Sequence, residues 1–209
     1  MIRLLVADDH TIVRRGIEQI IAGTSDIVVA DEARNGQEVL EKINRNSYDL
    51  VLLDISMPGR DGLEILKEVK GLKPKQAVLM LSMYPEEQYA VRALRSGAAG
   101  YLTKESAPDE LIAAIRKVFS GGKYVSSALA ERLAAKLGTQ SDKPLHELLS
   151  DREYQIMCMI ASGKTPTDIA QLLSLSVKTI STYRTRILVK MHMKSNADIT
   201  RYALQNNLV

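Results

Sequence analysis

The sequence predicts two domains. The first is a doubly wound α/β domain with a five-stranded parallel sheet of order 2-1-3-4-5, and the second is a small all-α domain of four helices. Three observations carry this. Five short apolar runs recur along residues 1–120, each followed by a segment with helical spacing. Polar, chemically competent residues stand where four of those runs end. Beyond residue 146 the strand pattern stops, and four short helical segments follow, each opened by a serine or threonine.

The strand candidates are residues 2–7, 27–31, 50–53, 77–81 and 100–103. They are short and several are β-branched, as expected of strands buried on both faces. Helical spacing lies between them. Ile12, Val13, Ile17, Ile20 and Ile21 share a face; so do Val39, Leu40 and Ile43, and then Leu63, Leu66 and Val69. Ala90, Val91 and Leu94 form the fourth face, and Leu111, Ile112, Ile115 and Val118 the fifth. Strands alternating with helices imply a parallel sheet covered on both sides.

Residues 121–146 break this rhythm. Gly121 and Gly122 end the last helix, "SSALAERLAAKLG" allows one more helix stopped at Gly138, and "TQSDKP" reads as flexible linker. In residues 147–209, Ser150 with Glu153 makes a capping-box pattern. Thr165 is an N-cap with Pro166 at the first helical position, Ser176 caps the next helix, and Ser195 with Asp198 opens the last. The second and third helices have the form of a helix-turn-helix pair, although the turn "LSLS" lacks the usual glycine.

Charge divides along the same boundary. Residues 1–120 hold 16 basic and 18 acidic side chains, whereas residues 147–209 hold 8 and 5. From Ile169 to Ala197 there is no acid, but there are Lys178, Arg184, Arg186, Lys190 and Lys194. An acidic half joined to a basic half suggests an anionic partner for the second. The single cysteine, Cys158, excludes a disulfide within the chain and is read as a small core residue. No apolar run approaches the ~20 residues of a membrane span, and the N-terminus is no secretory signal, so a cytoplasmic location is expected.

In an open α/β sheet the ligand crevice lies beyond the C-terminal strand ends, at the point where strand order reverses. Strand one ends in Asp8 and Asp9, strand three in Asp54 and strand four in Ser82, and Lys104 follows strand five. The first and third strands are neighbours in the expected order, so these groups should converge. Three carboxylates in one crevice call for a divalent cation, and oxygen ligands favour Mg²⁺ or, with the same donor set, Mn²⁺. A carboxylate beside such an ion can attack phosphorus, with Lys104 neutralising charge on the transferred group and Ser82 donating to one of its oxygens.

These residues carry a resemblance. "ADDH", "LLDISMPGRDGLEIL", "LS" and "SGAAGYLTK" are similar, in order and spacing, to a response-regulator receiver domain of flavodoxin-like (βα)5 fold. The resemblance implies Asp54 as phosphoacceptor. It implies metal ligation by Asp8 or Asp9 (mainly Asp9), by Asp54 and by the backbone carbonyl of Ser56. Ser82 becomes the switch hydroxyl, Tyr101 the switch aromatic, and Lys104 the phosphate partner. The expected switch pulls Ser82 inward on phosphorylation, and Tyr101 follows into the space. Pro58 and Gly59 shape the turn, and Asp61 is expected to be an ordinary first-turn acid of the following helix. Glu105 stands after Lys104 where some relatives carry proline.

In the helix from Val177 an apolar face runs through Val177, Ile180, Ile187 and Met191. The opposite face carries Lys178, Ser181, Thr182, Thr185 and Val189, a pattern suited to a helix lying in a DNA major groove. "LSDREYQIMCMIASGKTPTDIAQLLSLSVKTISTYRTRILVKM" resembles the LuxR-type helix-turn-helix joined to receivers in the NarL/FixJ family. That resemblance implies base reading by Ser181, Thr182 and Thr185, and phosphate contacts by Lys178, Thr179, Arg184 and Arg186. "TPTDIA" departs from the Asn-Lys-Glu of many relatives, which puts contacts from Pro166 and Thr167 in doubt. The expected protein is a DNA-binding transcriptional response regulator, not an enzyme, with a receiver at 1–120, a linker at 121–146 and a DNA-binding domain at 147–209. The implied partners are a sensor histidine kinase, an inverted repeat in double-stranded DNA bound by a homodimer, and RNA polymerase. Two alternatives stand beside it. A phosphatase of the haloacid-dehalogenase type needs a second Asp two residues after the nucleophile, where Ser56 stands. A receiver-like module acting through protein contacts alone usually lacks part of the acid–lysine set, which is complete here.

Overall fold

The computed structural model describes residues 1–106, 108–131 and 144–209. The chain forms two compact units, Met1–Glu131 and Arg132–Val209. The first is a parallel sheet of order β2-β1-β3-β4-β5, built from β1 (Ile2–Ala7), β2 (Ile27–Ala33), β3 (Leu50–Asp54), β4 (Ala77–Ser82) and β5 (Gly100–Thr103). Helices α1 (Thr11–Ala22), α2 (Gly36–Arg45), α3 (Gly62–Leu72), α4 (Glu86–Arg95) and α5 (Pro108–Phe119) cover it. Every residue of β3 is buried, as expected of a central strand.

Three strands run further than their apolar cores suggest. β3 and β4 include Asp54 and Ser82 themselves, so both functional side chains sit on the last rung of the ladder. β2 continues past Asp31 to Ala33 because its register with β1 shifts after Leu4, leaving Ala30 unpaired in a bulge. β2 is an edge strand, so its acids can turn outward. Asp31 accepts from Lys42 and Tyr48, and Glu32 accepts from Arg14.

Two helix faces differ from the periodic reading. Ile12 is 82% exposed at the start of α1; the buried stripe is Ile17 and Ile21, with Arg14 buried beside them. In α4 the buried residues are Tyr89, Ala90 and Ala93, while Val91 and Leu94 are half-buried. The Tyr89 ring packs 4.8 Å from that of Tyr84, which turns the helix away from its aliphatic stripe.

Residues 121–131, where the sequence suggests the start of a linker, are attached to this first unit. Tyr124 forms a parallel bridge to Gly100. Its N–H donates to the Ala99 carbonyl at 2.9 Å, and its carbonyl accepts from Tyr101 N–H at 3.2 Å. The open edge of β5 thereby gains a partner. Gly100 permits this approach, since a Cβ there would lie 2.5 Å from the Tyr124 oxygen. Burial, together with the hydrogen bond of its hydroxyl to Glu110 at 3.0 Å, pushes the Tyr124 pKa up to about 12. The Ser126 hydroxyl donates to Glu86, and Leu129 is buried. Of the expected extra helix, residues 127–131 are helical; the rest, up to residue 143, lies outside the described residues.

Among its described residues the second unit holds a 3-10 turn (Leu145–Leu148) and four helices, α6 (Asp151–Ala161), α7 (Pro166–Leu172), α8 (Val177–Lys190) and α9 (Asn196–Gln205). Capping boxes open α6, α7 and α9 at Ser150/Glu153, Thr165/Asp168 and Ser195/Asp198, and Ser176 caps α8. The core joins Ile156, Ile160, Ile169, Ile180, Ile187 and Ile199, and Cys158 is buried. The glycine-free turn between α7 and α8 places Ser174 at φ 52°, the left-handed conformation that costs a side-chain-bearing residue about 1 kcal/mol. Leu175 N–H caps it by bonding Ala170 O at 2.9 Å.

Candidate functional site

The strand ends bring the expected acids and lysine together. Lys104 Nζ lies 2.6 Å from Asp8 Oδ2 and 2.9 Å from Asp54 Oδ2, and all three side chains are no more than 6% exposed. Lys104 is aimed by the sheet itself, since its N–H bonds the Ser82 carbonyl at 2.7 Å, extending the β4–β5 pairing. Asp54 is held from behind by a close backbone approach. Gly62 N–H bonds Ile55 O at 2.8 Å, and a Cβ on Gly62 would fall 2.2 Å from the Asp54 carbonyl oxygen. Asp61 is not a first-turn residue of α3. It is the N-cap, 1% exposed, accepting from Leu63 N–H at 2.7 Å.

Burial raises the Asp54 pKa, Lys104 pulls it back down, and the neighbouring Asp8 charge pushes it up; the net shift is upward. For Lys104 burial acts to lower the pKa, but the charges and hydrogen bonds of Asp54 and Asp8 outweigh it, and the net shift is again upward. One ammonium thus faces several carboxylates. Ligand atoms of Asp8, Asp9, His10 and Asp54 all lie within 4.8 Å of one another, and buried Asp54 Oδ1 takes no hydrogen bond of normal geometry. An acidic, oxygen-rich cluster with an unsatisfied buried carboxylate oxygen suits a hard divalent cation, so these residues could hold a metal.

Sequence reasoning passed over His10 and Arg14. His10 Nδ1 lies 2.9 Å from Asp9 Oδ1 and 3.3 Å from Asp8 Oδ1, and its N–H bonds Asp8 Oδ1 at 2.8 Å. Arg14 bonds the Asp8 carbonyl at 2.8 Å and Glu32 at 2.6 Å. Both left a signal. His10 directly follows the two acids, and Arg14 interrupts the stripe that continues through Ile17 and Ile21.

The switch pair departs from expectation. The Tyr101 ring is fully buried, and its hydroxyl bonds the Tyr84 carbonyl at 2.8 Å. Burial drives the Tyr101 pKa upward. The ring therefore already occupies the inward position that it was expected to enter only after phosphorylation, because its polar tip has a partner there. Ser82 is also fully buried, and its Oγ accepts from Tyr84 N–H at 3.0 Å. Ser56 is half-buried two residues past Asp54.

On α8 the outward face holds Lys178, Ser181, Thr182, Thr185, Arg186 and Val189, all but Arg186 on the expected outer stripe and all exposed. Thr179, at its edge, and Arg184 are both half-buried. Thr179 Oγ1 lies 2.8 Å from Ser176 Oγ, and Arg184 Nε bonds Asn196 Oδ1 at 2.6 Å. Both are thus partly engaged in capping or bracing the domain. Val177 is exposed, not on the buried face; that face is Ile180, Ile187 and Met191. Glu153 is buried, which raises its pKa, but the Lys190 ammonium at 2.6 Å brings the net shift below the usual value and ties α8 to α6.

Comparison with known proteins gives these two sites a common context. Residues 4–116 match the model of the response regulator receiver domain, and residues 147–203 match that of bacterial regulatory proteins of the luxR family. A receiver sheet with its acid–lysine crevice, joined to a helix-turn-helix, defines the class of DNA-binding response regulators. Similarity extends over whole chains. The chain is 35% identical over 209 residues to response regulator UvrY of Escherichia coli (strain K12), covering 100% of this chain and 96% of that protein. It is 38% identical over 210 residues to response regulator GacA of Pseudomonas viridiflava, covering 100% and 98%. A LuxR-family response regulator from Aurantimonas sp. SI85-9A1 superposes with a TM-score of 0.62 at 29% identity, covering 66% of this chain and 99% of that one. The response regulator RcsB in complex with DNA gives 0.59 at 25%, covering 98% of each. The chain belongs to the NarL/FixJ family of two-component response regulators, and it is a DNA-binding transcriptional regulator of that kind. Among the described residues no helix is long and apolar enough to cross a membrane.

Proposed function

We propose that Asp54 accepts a phosphoryl group from a sensor histidine kinase and that this modification controls DNA binding by α8. The observation that carries the reading is the position of Lys104, between Asp8 and Asp54 at the buried strand ends. An Asp54 carboxylate oxygen attacks phosphorus, the phosphorus–nitrogen bond of the donor phosphohistidine breaks, and the imidazole leaves with that electron pair. Lys104 already faces Asp54 and neutralises charge on the transferred oxygens. Asp9, Asp54, the Ser56 carbonyl and, secondarily, Asp8 would hold a divalent cation, Mg²⁺ or Mn²⁺. Such an ion supplies further charge neutralisation at the phosphoryl oxygens.

The phosphorylated carboxylate carries roughly −1.5 to −2 charges in place of −1, by analogy with other phosphoryl groups. The Ser82 hydroxyl then donates to a phosphoryl oxygen. That turns Ser82 away from the Tyr84 amide it now accepts from. The disturbance runs along the loop to Glu86 and so to Ser126, which Glu86 holds. Tyr101 lies on the same route through its bonds to Tyr84 and Tyr124. We assign the receiver to residues 1–120, the connection to 121–146 and DNA binding to 147–209. Lys178, Thr179, Arg184 and Arg186 contact phosphates, and Ser181, Thr182 and Thr185 face bases. A homodimer formed through α9 on an inverted repeat, a productive contact with RNA polymerase and a cytoplasmic location complete the reading.

Gel shifts on a selected DNA site test it. Acetyl phosphate with Mg²⁺ is expected to tighten binding of the wild type and to leave Asp54→Asn unchanged. An Asp54→Asn protein that responds as the wild type does overturns the assignment.

A further inference from the structure

The exposed face of α8 has an unusual chemical bias. Each of its hydroxyls already spends its single proton within the helix. Ser181 Oγ donates to Val177 O at 3.0 Å, Thr182 Oγ1 to Lys178 O at 3.0 Å, and Thr185 Oγ1 to Ser181 O at 3.1 Å. A hydroxyl has one donor proton and two acceptor lone pairs. What these three side chains show to the outside is therefore oxygen lone pairs and, from the threonines, methyl groups. To donate outward, each must first give up its bond to the preceding turn.

The neighbours reinforce the bias. Val189, 68% exposed, stands one turn beyond Thr185, and Val177, 44% exposed, stands one turn before Ser181. Both add methyl surface. Lys178 stands on the same stripe one turn before Thr182, at the start of the helix, and the two arginines are drawn to the sides. Arg184 is tied to Asn196, and the Arg186 guanidinium lies 5.9 Å from the centre of the Tyr183 ring. The outward centre of the helix, Ser181, Thr182 and Thr185, carries no amide side chain and no cation.

Base edges differ in what they ask of such a surface. In the major groove guanine offers only acceptors, N7 and O6, and so needs a donor from the protein. Thymine offers its C5-methyl group, and adenine and cytosine offer exocyclic amines that donate. Lone pairs and methyl groups fit the second set and not the first.

Building on the reading of α8 as the recognition helix, we propose that Ser181, Thr182 and Thr185 recognise thymine methyl groups and the exocyclic amines of adenine or cytosine, and leave guanine acceptor edges unread. Specificity at the centre of each half-site then rests on apolar contact and accepted hydrogen bonds.

The experiment uses the full-length protein treated with acetyl phosphate and Mg²⁺. A binding site is first selected from random duplexes, and single bases in one half-site are then replaced. Uracil in place of thymine removes only the C5-methyl group. At the one or two positions under Thr182 and Thr185, affinity is expected to fall about fourfold, the size of one buried carbon group. Replacing guanine by 7-deazaguanine at the positions under Ser181, Thr182 and Thr185 removes N7 and is expected to change affinity by less than about twofold, since these hydroxyls hold no free proton for that edge. Thr182→Ser is expected to abolish the thymine-over-uracil preference, and Thr182→Val to keep it. Indifference to uracil at every thymine, or a larger loss with 7-deazaguanine than with uracil, overturns the proposal while leaving DNA binding intact. Failure to select any site removes the reading of α8 as a DNA-recognition helix, and this proposal with it.

Discussion

The two functional surfaces use charged and polar groups in opposite ways. At the strand ends of the receiver, Asp8, Asp54 and Lys104 are buried almost completely and touch one another. On α8, Lys178, Ser181, Thr182 and Thr185 are exposed, and the three hydroxyls donate within their own helix. The receiver crevice gains strength from low dielectric surroundings, at the cost that removing its ammonium strands two buried carboxylates. The helix face gives up that strength and keeps its side chains independent, which suits reading a sequence position by position. Substitutions should therefore couple strongly in the crevice and add simply on α8.

The largest effect is expected at Lys104. Lys104→Met leaves two buried carboxylates facing each other, and in metal-free buffer the first unit should lose about 3–5 kcal/mol of stability. Adding Mg²⁺ should restore part of that loss if a cation can take the place of the ammonium. Denaturant unfolding with and without Mg²⁺ checks both statements. A loss no larger in metal-free buffer than in Mg²⁺ would show that the crevice does not behave as one electrostatic unit. Gly62→Ala comes next, at about 2–3 kcal/mol, because the added Cβ meets the backbone of β3 and not a movable side chain. It should also displace Asp54, so phosphorylation by acetyl phosphate should slow even where the protein remains folded.

Asp54→Asn should act with the opposite sign. The Asp54 pKa is raised in the folded chain, first by burial. Between the ordinary carboxylate value and the raised one, the folded state holds a proton that the unfolded state has lost. Stability therefore falls as pH climbs through that window, and the charged form remains a burden at neutral pH. The neutral amide removes the burden. In metal-free buffer at neutral pH its melting temperature should exceed that of wild type by about 2–4 °C, which corresponds to roughly 1 kcal/mol. The gap should close as pH falls to the acidic end of the window. An Asn variant that melts lower than wild type at neutral pH would mean that the bond to Lys104 outweighs burial.

Sequence alone disclosed the crevice better than it disclosed its supports. Asp8, Asp9, Asp54 and Lys104 each follow an apolar run, and a parallel sheet delivers every such position to the same edge. The N-caps of α6, α7, α8 and α9 are legible for a similar reason, being local patterns with local partners. What escaped depends on distant neighbours. Ile12 fits the periodicity of α1 but lies on its outward first turn. Arg14 is buried because Glu32 and the Asp8 carbonyl await it at the ends of two strands. Tyr124 completes the β5 edge as a single bridging residue, and one residue has no period to detect. The inward Tyr101 ring depends on the Tyr84 carbonyl, which no spacing rule locates.

In the second unit the effects should be smaller. Ser174 holds a left-handed conformation in the turn before α8. Glycine relieves that strain but adds freedom to the unfolded chain, so Ser174→Gly should gain about 0.5 kcal/mol, read as a shift in unfolding midpoint. A loss on that substitution would point to an added role for the serine side chain.

The smallest change in stability, and the cleanest contrast, belongs to Lys178. It is exposed at the start of α8, so Lys178→Ala should leave unfolding nearly unchanged. Its effect should appear in DNA binding, as a similar weakening on selected and random duplexes. The slope of log affinity against log salt should flatten by about 0.9 for each phosphate that the protein no longer neutralises. Thr182→Ala should leave that slope alone and alter which sites are preferred, since it removes no charge. A double variant should then show the sum of the two effects, because the proposed contacts of the two side chains lie on different parts of the DNA. Departure from that sum would couple two positions the helix keeps separate. It would make the output face resemble the crevice after all, with phosphate binding and base reading acting as one unit on the DNA.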